Sequence, residues 1–217
     1  MSLTLYAHPF SSYCQKVLIA LYENGTPFVY RHLEEPGASD ERASLWPFGR
    51  FPVLTDDGKM VAESSIIIEY LDLNYRGSVR LLPEPPEKAL EIRFMDRFFD
   101  NYVMSAMQKP VSEALKTQGS HKDEAMAEAQ QALDTAYGWL EQKLSGRTWA
   151  AGETFSMADC AAAPSLFYAD WVHQIGAAFP RLREYRAQLL SRPSFARAVD
   201  EGRPYRAYFP LGAPDRD

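Results

Sequence analysis

The sequence has little cysteine: its 217 residues contain two, Cys14 and Cys160. Two cysteines so far apart form no disulfide framework, and such sparse use is typical of a reducing compartment. No metal-ligand spacing links these cysteines to the four scattered histidines, His8, His32, His121 and His173. We therefore predict a cytoplasmic protein without a metal site.

Long apolar runs and excess positive charge are also missing. No stretch approaches the roughly 18 apolar residues that span a bilayer, and residues 1–8 lack the basic start of a signal peptide. The net charge of -6 provides no electrostatic footprint for a phosphate backbone. We expect neither a membrane nor nucleic acid as a partner. The remaining composition, 46% hydrophobic and 24% charged, is that of an ordinary globular protein.

The N-terminal third alternates between strand and helix patterns in the order β-α-β-α-β-β-α. A strand, a helix and a strand so closely joined predict a parallel βαβ unit, and a later Asp-Asp-Gly turn predicts an antiparallel hairpin. The predicted elements are a strand over 3–8, a helix over 13–24, a strand over 28–33, a weak helix over 39–45, strands over 53–55 and 59–62, and a helix that Ser64 or Ser65 caps and that ends at Asn74.

A glycine and three prolines interrupt the pattern between residues 76 and 86, which indicates a linker. Everything after it shows helical spacing, so we predict an N-terminal domain over 1–78, a linker over 79–86 and an all-α domain over 87–217. Its predicted helices cover 87–118 with a kink at Pro110, 123–144, 156–172 with a bend or break at Pro164, 180–190 and 193–201.

The loop that opens the first helix, Pro9 to Cys14, combines two serines with a cysteine. A helix N-terminus favours an anion, and redox proteins of the thioredoxin arrangement place cysteines three apart here. Ser11 takes the first of these positions, which argues against a dithiol reductase. Its hydroxyl can instead donate a hydrogen bond to a bound thiolate. Such a bond contributes about 1.5 to 3 kcal/mol, and the helix end contributes about 0.3 to 1 kcal/mol. Together they would lower the pKa of a thiol from about 8.5 to about 6 or 7. Alternatively, Ser11 or Ser12 only caps the helix and Cys14 is packed.

Three further motifs stand at predicted element boundaries. Pro52 precedes a strand, where a proline is either an ordinary edge residue or a cis peptide. Glu63 and Ser64 begin a helix and suit the ammonium and carboxylate of an α-amino acid, although a solvated glutamate and a capping serine fit as well. Ser156 and Asp159 have the spacing of a capping box, so we expect Asp159→Ala to cost about 1 to 2 kcal/mol.

Three segments together resemble the cytosolic glutathione transferase superfamily along nearly the whole chain: HPFSSYCQKVLIALYENGTPF, FPVLTDDGKMVAESSIIIEYL and GETFSMADCAAAP. The serine pair is similar to that of the bacterial serine-type proteins of the zeta and theta branches, which place a serine hydroxyl on the glutathione sulfur. The resemblance implies a thioredoxin-like N-terminal domain, a C-terminal all-α domain and a two-fold homodimer. It also implies glutathione as co-substrate.

The resemblance assigns roles to individual residues. Ser11 matches the catalytic serine, and Pro52 matches a cis-proline. Phe51, just before that proline, matches the residue whose backbone pairs with the cysteinyl part of glutathione. Glu63 and Ser64 match the γ-glutamyl site. Tyr13, Cys14 and Gln15 depart from the zeta pattern, which leaves isomerisation and conjugation both open. Arg50 occupies the place where a polar side chain often meets the glycine end of glutathione.

The implied function is that of a detoxifying transferase that joins the glutathione thiolate to a small hydrophobic electrophile, or isomerises a substrate through it. Its electrophile site is expected between the domains, lined by Phe98, Tyr102 and Met107 and covered by residues 205–209. The helical spacing of Phe98, Tyr102 and Met107 is equally typical of core residues without a role in binding. Two alternatives remain: a non-catalytic glutathione-binding or regulatory module, and a thiol transferase that depends on Cys14.

Overall fold

Residues 3–116 and 121–217 are described by the structure, a computed structural model. The predicted end of the first long helix, Gln118, lies outside these residues. Among the described residues, no helix has both the length and the apolar character needed to cross a membrane.

A four-stranded sheet with the strand order β2-β1-β3-β4 organises the N-terminal part. β1 pairs in parallel with β2, with Leu5 opposite Tyr30, whereas β3 runs antiparallel to both β1 and β4. The predicted βαβ unit and hairpin are therefore confirmed. The strands are β1 (Leu3–Ala7), β2 (Val29–His32), β3 (Val53–Asp56) and β4 (Lys59–Ala62).

Three helices accompany the sheet: α1 (Ser12–Glu23), α2 (Ala38–Leu45) and α3 (Ser64–Asn74). The prediction that Ser64 or Ser65 caps α3 is wrong. Glu63 occupies the position before the helix, at φ +69°, and its side chain makes no capping hydrogen bond. A single residue separates β4 from α3, so the backbone must reverse at Glu63 itself. Ser64 is consequently the first helical residue.

The rest of the described chain is helical, with one isolated β-bridge between Trp149 and Gly152. A thioredoxin-like sheet domain followed by an all-α part confirms the predicted fold class, whereas the boundaries at 78 and 87 remain a prediction. The helices are α4 (Pro86–Phe98), a π-helical segment (Phe99–Met104), α5 (Ser105–Ala114), α6 (Lys122–Lys143), α7 (Met157–Val172), α8 (Pro180–Ser191), α9 (Pro193–Gly202) and a 3₁₀ segment (Arg203–Tyr208).

Two helices differ from their predicted form. The first long helix contains the π-helical segment between α4 and α5, which helical spacing alone did not indicate. α7 runs through Pro164 without interruption, because tertiary contacts bury every residue from Met157 to Trp171 and offset the hydrogen bond that the proline lacks. The capping box of Ser156 and Asp159 at the start of α7 is formed as predicted.

α1 is the element that joins the two parts of the molecule. Val17, Leu18 and Leu21 are buried along it, and it packs against α3 within the N-terminal part and against α7 and α9 of the helical part. The N-terminus of α1 thereby comes to lie where both parts meet.

Candidate functional site

A cavity of about 1040 Å³ opens at the junction of the sheet domain and the helices. One side is formed by residues around the N-termini of α1 and α3, and includes all the residues that the sequence predicted to bind glutathione: Ser11, Arg50, Phe51, Pro52, Glu63 and Ser64. The helical part adds an apolar wall from α5, α7 and the C-terminal segment, which includes Met107, Val111, Leu115, Tyr168, Tyr208, Phe209 and Pro210. It also adds polar and charged residues of α4 and the π-helical segment: Arg93, Asp96, Arg97, Asp100 and Asn101.

Ser11 stands at the N-cap of α1, and its Oγ accepts a hydrogen bond of 3.4 Å from the backbone N–H of Cys14. The backbone N–H of Ser11 donates to the carbonyl of His8 at 3.0 Å. A hydroxyl that accepts from its own helix keeps its proton for another partner. Because the side chain lines the cavity, that partner can be a bound ligand. Ser12, the first helical residue, also lines the cavity.

The Phe51–Pro52 peptide bond is cis, which confirms the expectation drawn from the resemblance. Phe51 lines the cavity and is 40% exposed. Arg50, immediately before it, reaches the same wall. These three residues form the edge of the cavity nearest β3.

Glu63 and Ser64 bring a carboxylate and a helix N-terminus to the same wall. Glu63 is one of two non-glycine residues at positive φ among those described, and unusual backbone angles cluster at ligand sites. The first amides of α3 have no partners within the helix and attract a carboxylate, while the Glu63 carboxylate attracts an ammonium group. The pair can therefore hold both charges of an α-amino acid.

A charge cluster of Lys16, Asp96, Arg97 and Asp100 adjoins this wall, and all of its members except Lys16 line the cavity. This cluster was not among the sites predicted from the sequence. Lys16 of α1 lies 2.6 Å from a carboxylate oxygen of Asp96 and 2.8 Å from one of Asp100, and it also donates to Ser65. Arg97 contacts both carboxylates from the cavity side. Burial raises the pKa of Asp100, while Lys16 opposes that shift. Lys16 is a charged residue among the apolar residues of α1, and this pattern in the sequence is the signal that indicates the cluster.

Cys14 does not belong to the cavity wall. Its side chain is fully buried, and its sulfur accepts from the backbone N–H of His8 at 3.5 Å. Burial raises the pKa of the Cys14 thiol to about 12. A thiol with so high a pKa is almost entirely protonated at neutral pH, and a protonated thiol is a poor nucleophile. The geometry therefore disfavours a thiol transferase that depends on Cys14.

We accordingly expect native protein to react with a thiol reagent such as DTNB at pH 8 at least about a hundredfold more slowly than unfolded protein, since both Cys14 and Cys160 are buried. Absorbance of the released thiolate measures this rate. A Cys160→Ala variant isolates Cys14. Rapid labelling of that variant in the folded state would contradict the assignment of Cys14 as a packed thiol.

Of the predicted electrophile-site residues, only Met107 lines the cavity. The prediction for Phe98 and Tyr102 is corrected: neither residue lines it. Phe98 stacks on Trp139 of α6, with ring centroids 4.3 Å apart, and Tyr102 stacks on Phe98 at 5.3 Å. Helical spacing shows that residues share a face, but it does not show which neighbour that face meets. Of the segment 205–209 that was expected to cover the site, Tyr208 and Phe209 line the cavity.

A histidine pair connects the sheet to the C-terminal segment at the rim of the cavity. His8 and His32 accept backbone N–H groups at Nδ1, from Phe10 and Glu34 respectively. Each neutral ring therefore carries its proton on Nε2, which contacts Glu34 from His8 and the Tyr205 hydroxyl from His32, both at 3.2 Å.

The side chains of His8, His32 and Glu34 bring potential ligand atoms within 4.8 Å of one another. A metal on Nε2 of either ring would require the proton on Nδ1, where a backbone N–H already donates. This hydrogen bonding does not fit a metal ion. The absence of a metal site elsewhere remains a prediction.

Acid should weaken the fold through His8. Burial lowers the pKa of His8, and Glu34 opposes this shift. The unfolded chain therefore binds this proton first as pH falls below about 6.5, so the stability that His8 contributes is present above that value and is lost as pH drops toward the folded-state pKa. Urea unfolding between pH 8 and 5 measures the effect. His8→Gln retains a donor for Glu34 and should lose less stability over this range; an equal loss would show that His8 is not responsible.

Two family models and several known proteins are similar to this chain. Residues 5–79 match the family model "Glutathione S-transferase, N-terminal domain", and residues 123–188 match "Glutathione S-transferase, C-terminal domain". The chain is 33% identical to glutathione S-transferase U10 of Arabidopsis thaliana over 53% of this chain and about half, 50%, of that protein. It is 29% identical to FtsZ-localized protein A of Caulobacter vibrioides over 88% of both.

A solved structure agrees with these sequence matches. The glutathione S-transferase from Methylobacillus flagellatus with GSH bound superimposes with a TM-score of 0.79 at 25% identity, covering 91% of this chain and 98% of that one. The fold, both family models, the Arabidopsis relative and the Methylobacillus structure all point to the same family. The chain belongs to the cytosolic glutathione transferase superfamily.

Proposed function

We propose that this protein is a glutathione transferase in which the Ser11 hydroxyl donates a hydrogen bond to the thiolate of bound glutathione. The observation that carries the proposal is the position of Ser11: its Oγ stands at the N-terminus of α1 and lines a cavity that also has an apolar wall. The helix end and the hydroxyl both favour a negative charge at that point. A lowered thiol pKa then supplies the nucleophile at neutral pH.

The polar wall has a group for each end of glutathione. Glu63 attracts the ammonium group of the γ-glutamyl residue, while Ser64 and the first amides of α3 attract its carboxylate. The backbone of Phe51 pairs with the cysteinyl residue, and Arg50 meets the carboxylate of the glycine. Support comes from the cavity they share and from the related structure with GSH bound.

The apolar wall fits a small hydrophobic electrophile. At about 1040 Å³ the cavity is at the upper limit of ordinary ligand pockets, about 300 to 1,000 Å³, which suits two molecules side by side. In conjugation, the thiolate attacks the electrophilic carbon and forms a C–S bond, while the electron pair leaves with the departing group or moves into the substrate. We also propose that the protein is a cytoplasmic homodimer with a role in detoxification.

Glutathione binding and turnover test the proposal together. Isothermal titration calorimetry should detect one glutathione site per chain, and S-methylglutathione is the control for contacts that do not involve the thiol. A panel of aryl halides, epoxides, activated alkenes and organic hydroperoxides should then include at least one substrate. Lack of measurable glutathione binding would exclude the function, whatever the panel shows.

A non-catalytic module is the second candidate, because FtsZ-localized protein A aligns over 88% of this chain and the name of that relative describes localisation and not catalysis. Glutathione binding without turnover of any electrophile, together with an unchanged thiol pKa in the bound state, would favour the module over the transferase.

A further inference from the structure

Helices from the C-terminal part hold the loop that precedes Ser11. The hydroxyl of Tyr168, on α7, donates to the backbone carbonyl of Phe10 at 2.9 Å. The side-chain amide of Gln15, on α1, donates to the carbonyl of Pro9 at 2.9 Å and to the Tyr168 hydroxyl at 3.2 Å. Two consecutive carbonyls just before Ser11 are thus restrained through one connected network.

The direction of every hydrogen bond in this network follows from the available donors. A carbonyl only accepts, so the NH₂ group of Gln15 must face Pro9 and the single proton of Tyr168 must go to Phe10. Gln15 is 1% exposed and Tyr168 is 3% exposed. Gln15 Oε1 is buried with no hydrogen-bond partner among the described residues. The side-chain amide of Gln15 is therefore oriented so that its NH₂ group donates both hydrogen bonds, while its oxygen has no partner among the described residues.

A second helix of the C-terminal part, α9, packs against the same loop. Gly202, at the end of α9, lies so close that a Cβ built on it would stand 3.1 Å from both the carbonyl oxygen of Pro9 and Nε2 of Gln15. Such contacts are tighter than most real Cβ contacts, so a side chain at this position would push the loop or Gln15 away by a few tenths of an ångström. The loop is enclosed between α7, α9 and α1.

We propose that Tyr168 is a positioning residue for Ser11. Ser11 directly follows Phe10, and its own carbonyl accepts from the backbone N–H of Gln15 at 2.8 Å, so the network determines where the Ser11 hydroxyl stands relative to the end of α1. A hydrogen bond to a thiolate depends steeply on its length and angle. Loss of the Tyr168 hydroxyl lets the loop shift and weakens that bond. This role rests on the proposed function of Ser11.

Tyr168→Phe removes the hydroxyl and keeps the ring, which meets Phe10 edge to face with centroids 5.5 Å apart. Ultraviolet titration of the thiolate in the glutathione complex should show a bound thiol whose proton affinity is about three- to tenfold higher than in wild type. With a substrate in hand, kcat at pH 7 should fall by a similar factor, and the KM for glutathione should change less than about twofold.

Tyr137→Phe is the matched control. Tyr137 is also a buried tyrosine, and its hydroxyl donates to a backbone carbonyl, that of His173, at 3.0 Å. Its removal should cost comparable stability without changing the thiol pKa. If both variants change only the melting temperature, Tyr168 is merely structural and the proposal is overturned. Gln15→Met, which breaks the same network, replaces Tyr168→Phe as the test variant if the latter does not fold.

The double variant Ser11→Ala/Tyr168→Phe shows whether Tyr168 acts through Ser11. Positioning predicts a thiol pKa no higher than that of Ser11→Ala alone, whereas additive shifts would overturn it. The two proposals fail in different ways. A wild type that leaves the thiol pKa of glutathione unchanged overturns the proposed function and this role with it. A lowered pKa that survives Tyr168→Phe overturns the role of Tyr168 alone.

Discussion

Ser11→Ala is expected to lower kcat/KM at pH 7 by about tenfold to a hundredfold and to leave glutathione affinity within about threefold of wild type. A hydrogen bond to a charged group contributes about 1.5 to 3 kcal/mol, and each 1.36 kcal/mol is a factor of ten. The contacts proposed for both ends of glutathione do not involve Ser11, so binding should persist. Steady-state kinetics with a substrate from the electrophile panel and calorimetry measure the two quantities.

The pH dependence distinguishes this loss from a general defect. Without the hydroxyl, the bound thiol ionises at higher pH, so the rate of Ser11→Ala should recover toward that of wild type as pH rises from 7 to 9. Ser11→Thr keeps both the hydroxyl and the N-cap and should retain most activity. A deficit for Ser11→Ala that is the same at every pH would contradict ionisation as the role of Ser11.

Neighbouring side chains provide the controls. Tyr13 lines the same cavity, and burial raises the pKa of its hydroxyl to about 12, so it keeps its proton and could act as a competing donor. Tyr13→Phe, Ser12→Ala and Cys14→Ala should each retain activity within about threefold. A large loss in Tyr13→Phe together with an active Ser11→Ala would transfer the sulfur contact from Ser11 to Tyr13.

Asp159→Ala is expected to destabilise the protein by about 3 to 5 kcal/mol, which revises the 1 to 2 kcal/mol expected from the sequence for the cap and its buried partners. One carboxylate oxygen accepts from the backbone N–H and the hydroxyl of Ser156, both at 2.9 Å. The other accepts from the backbone N–H of Ala150 at 2.9 Å and from the Tyr185 hydroxyl at 2.6 Å. Removing the fully buried carboxylate leaves these donors unpaired, and each unpaired buried donor costs about 1 to 3 kcal/mol.

Urea unfolding followed by circular dichroism measures this loss. Ser156→Ala removes the cap without removing the acceptor and should cost only about 1 kcal/mol, while Asp159→Asn keeps the shape and should fall between the two. Glutathione affinity of folded Asp159→Ala should match that of wild type, because Asp159 does not line the cavity. A cost for Asp159→Ala no larger than for Ser156→Ala would show that the contacts to Ala150 and Tyr185 contribute nothing.

Local patterns in the sequence determined the order of the elements and much of the polar wall. Period-two alternation, the Asp-Asp-Gly turn and the Ser156–Asp159 spacing each act within a few residues, so a local sequence pattern can indicate them. The N-cap of α1 at Ser11 is of this kind. The resemblance to a family then assigned ligand contacts to residues that these patterns had only placed at element boundaries.

Tertiary structure alone decided which residues meet across the two parts of the chain. Phe98 stacks on Trp139 and Tyr102 on Phe98, while the partners of Lys16 lie on α4 and the π-helical segment. The network from Tyr168 to the loop before Ser11 likewise joins residues from opposite ends of the sequence. Helical spacing defines a face, but the neighbour of that face depends on the packing of whole helices, which no local pattern contains. The sequence therefore determined the chemical groups of the site, and the fold decided which of them act together.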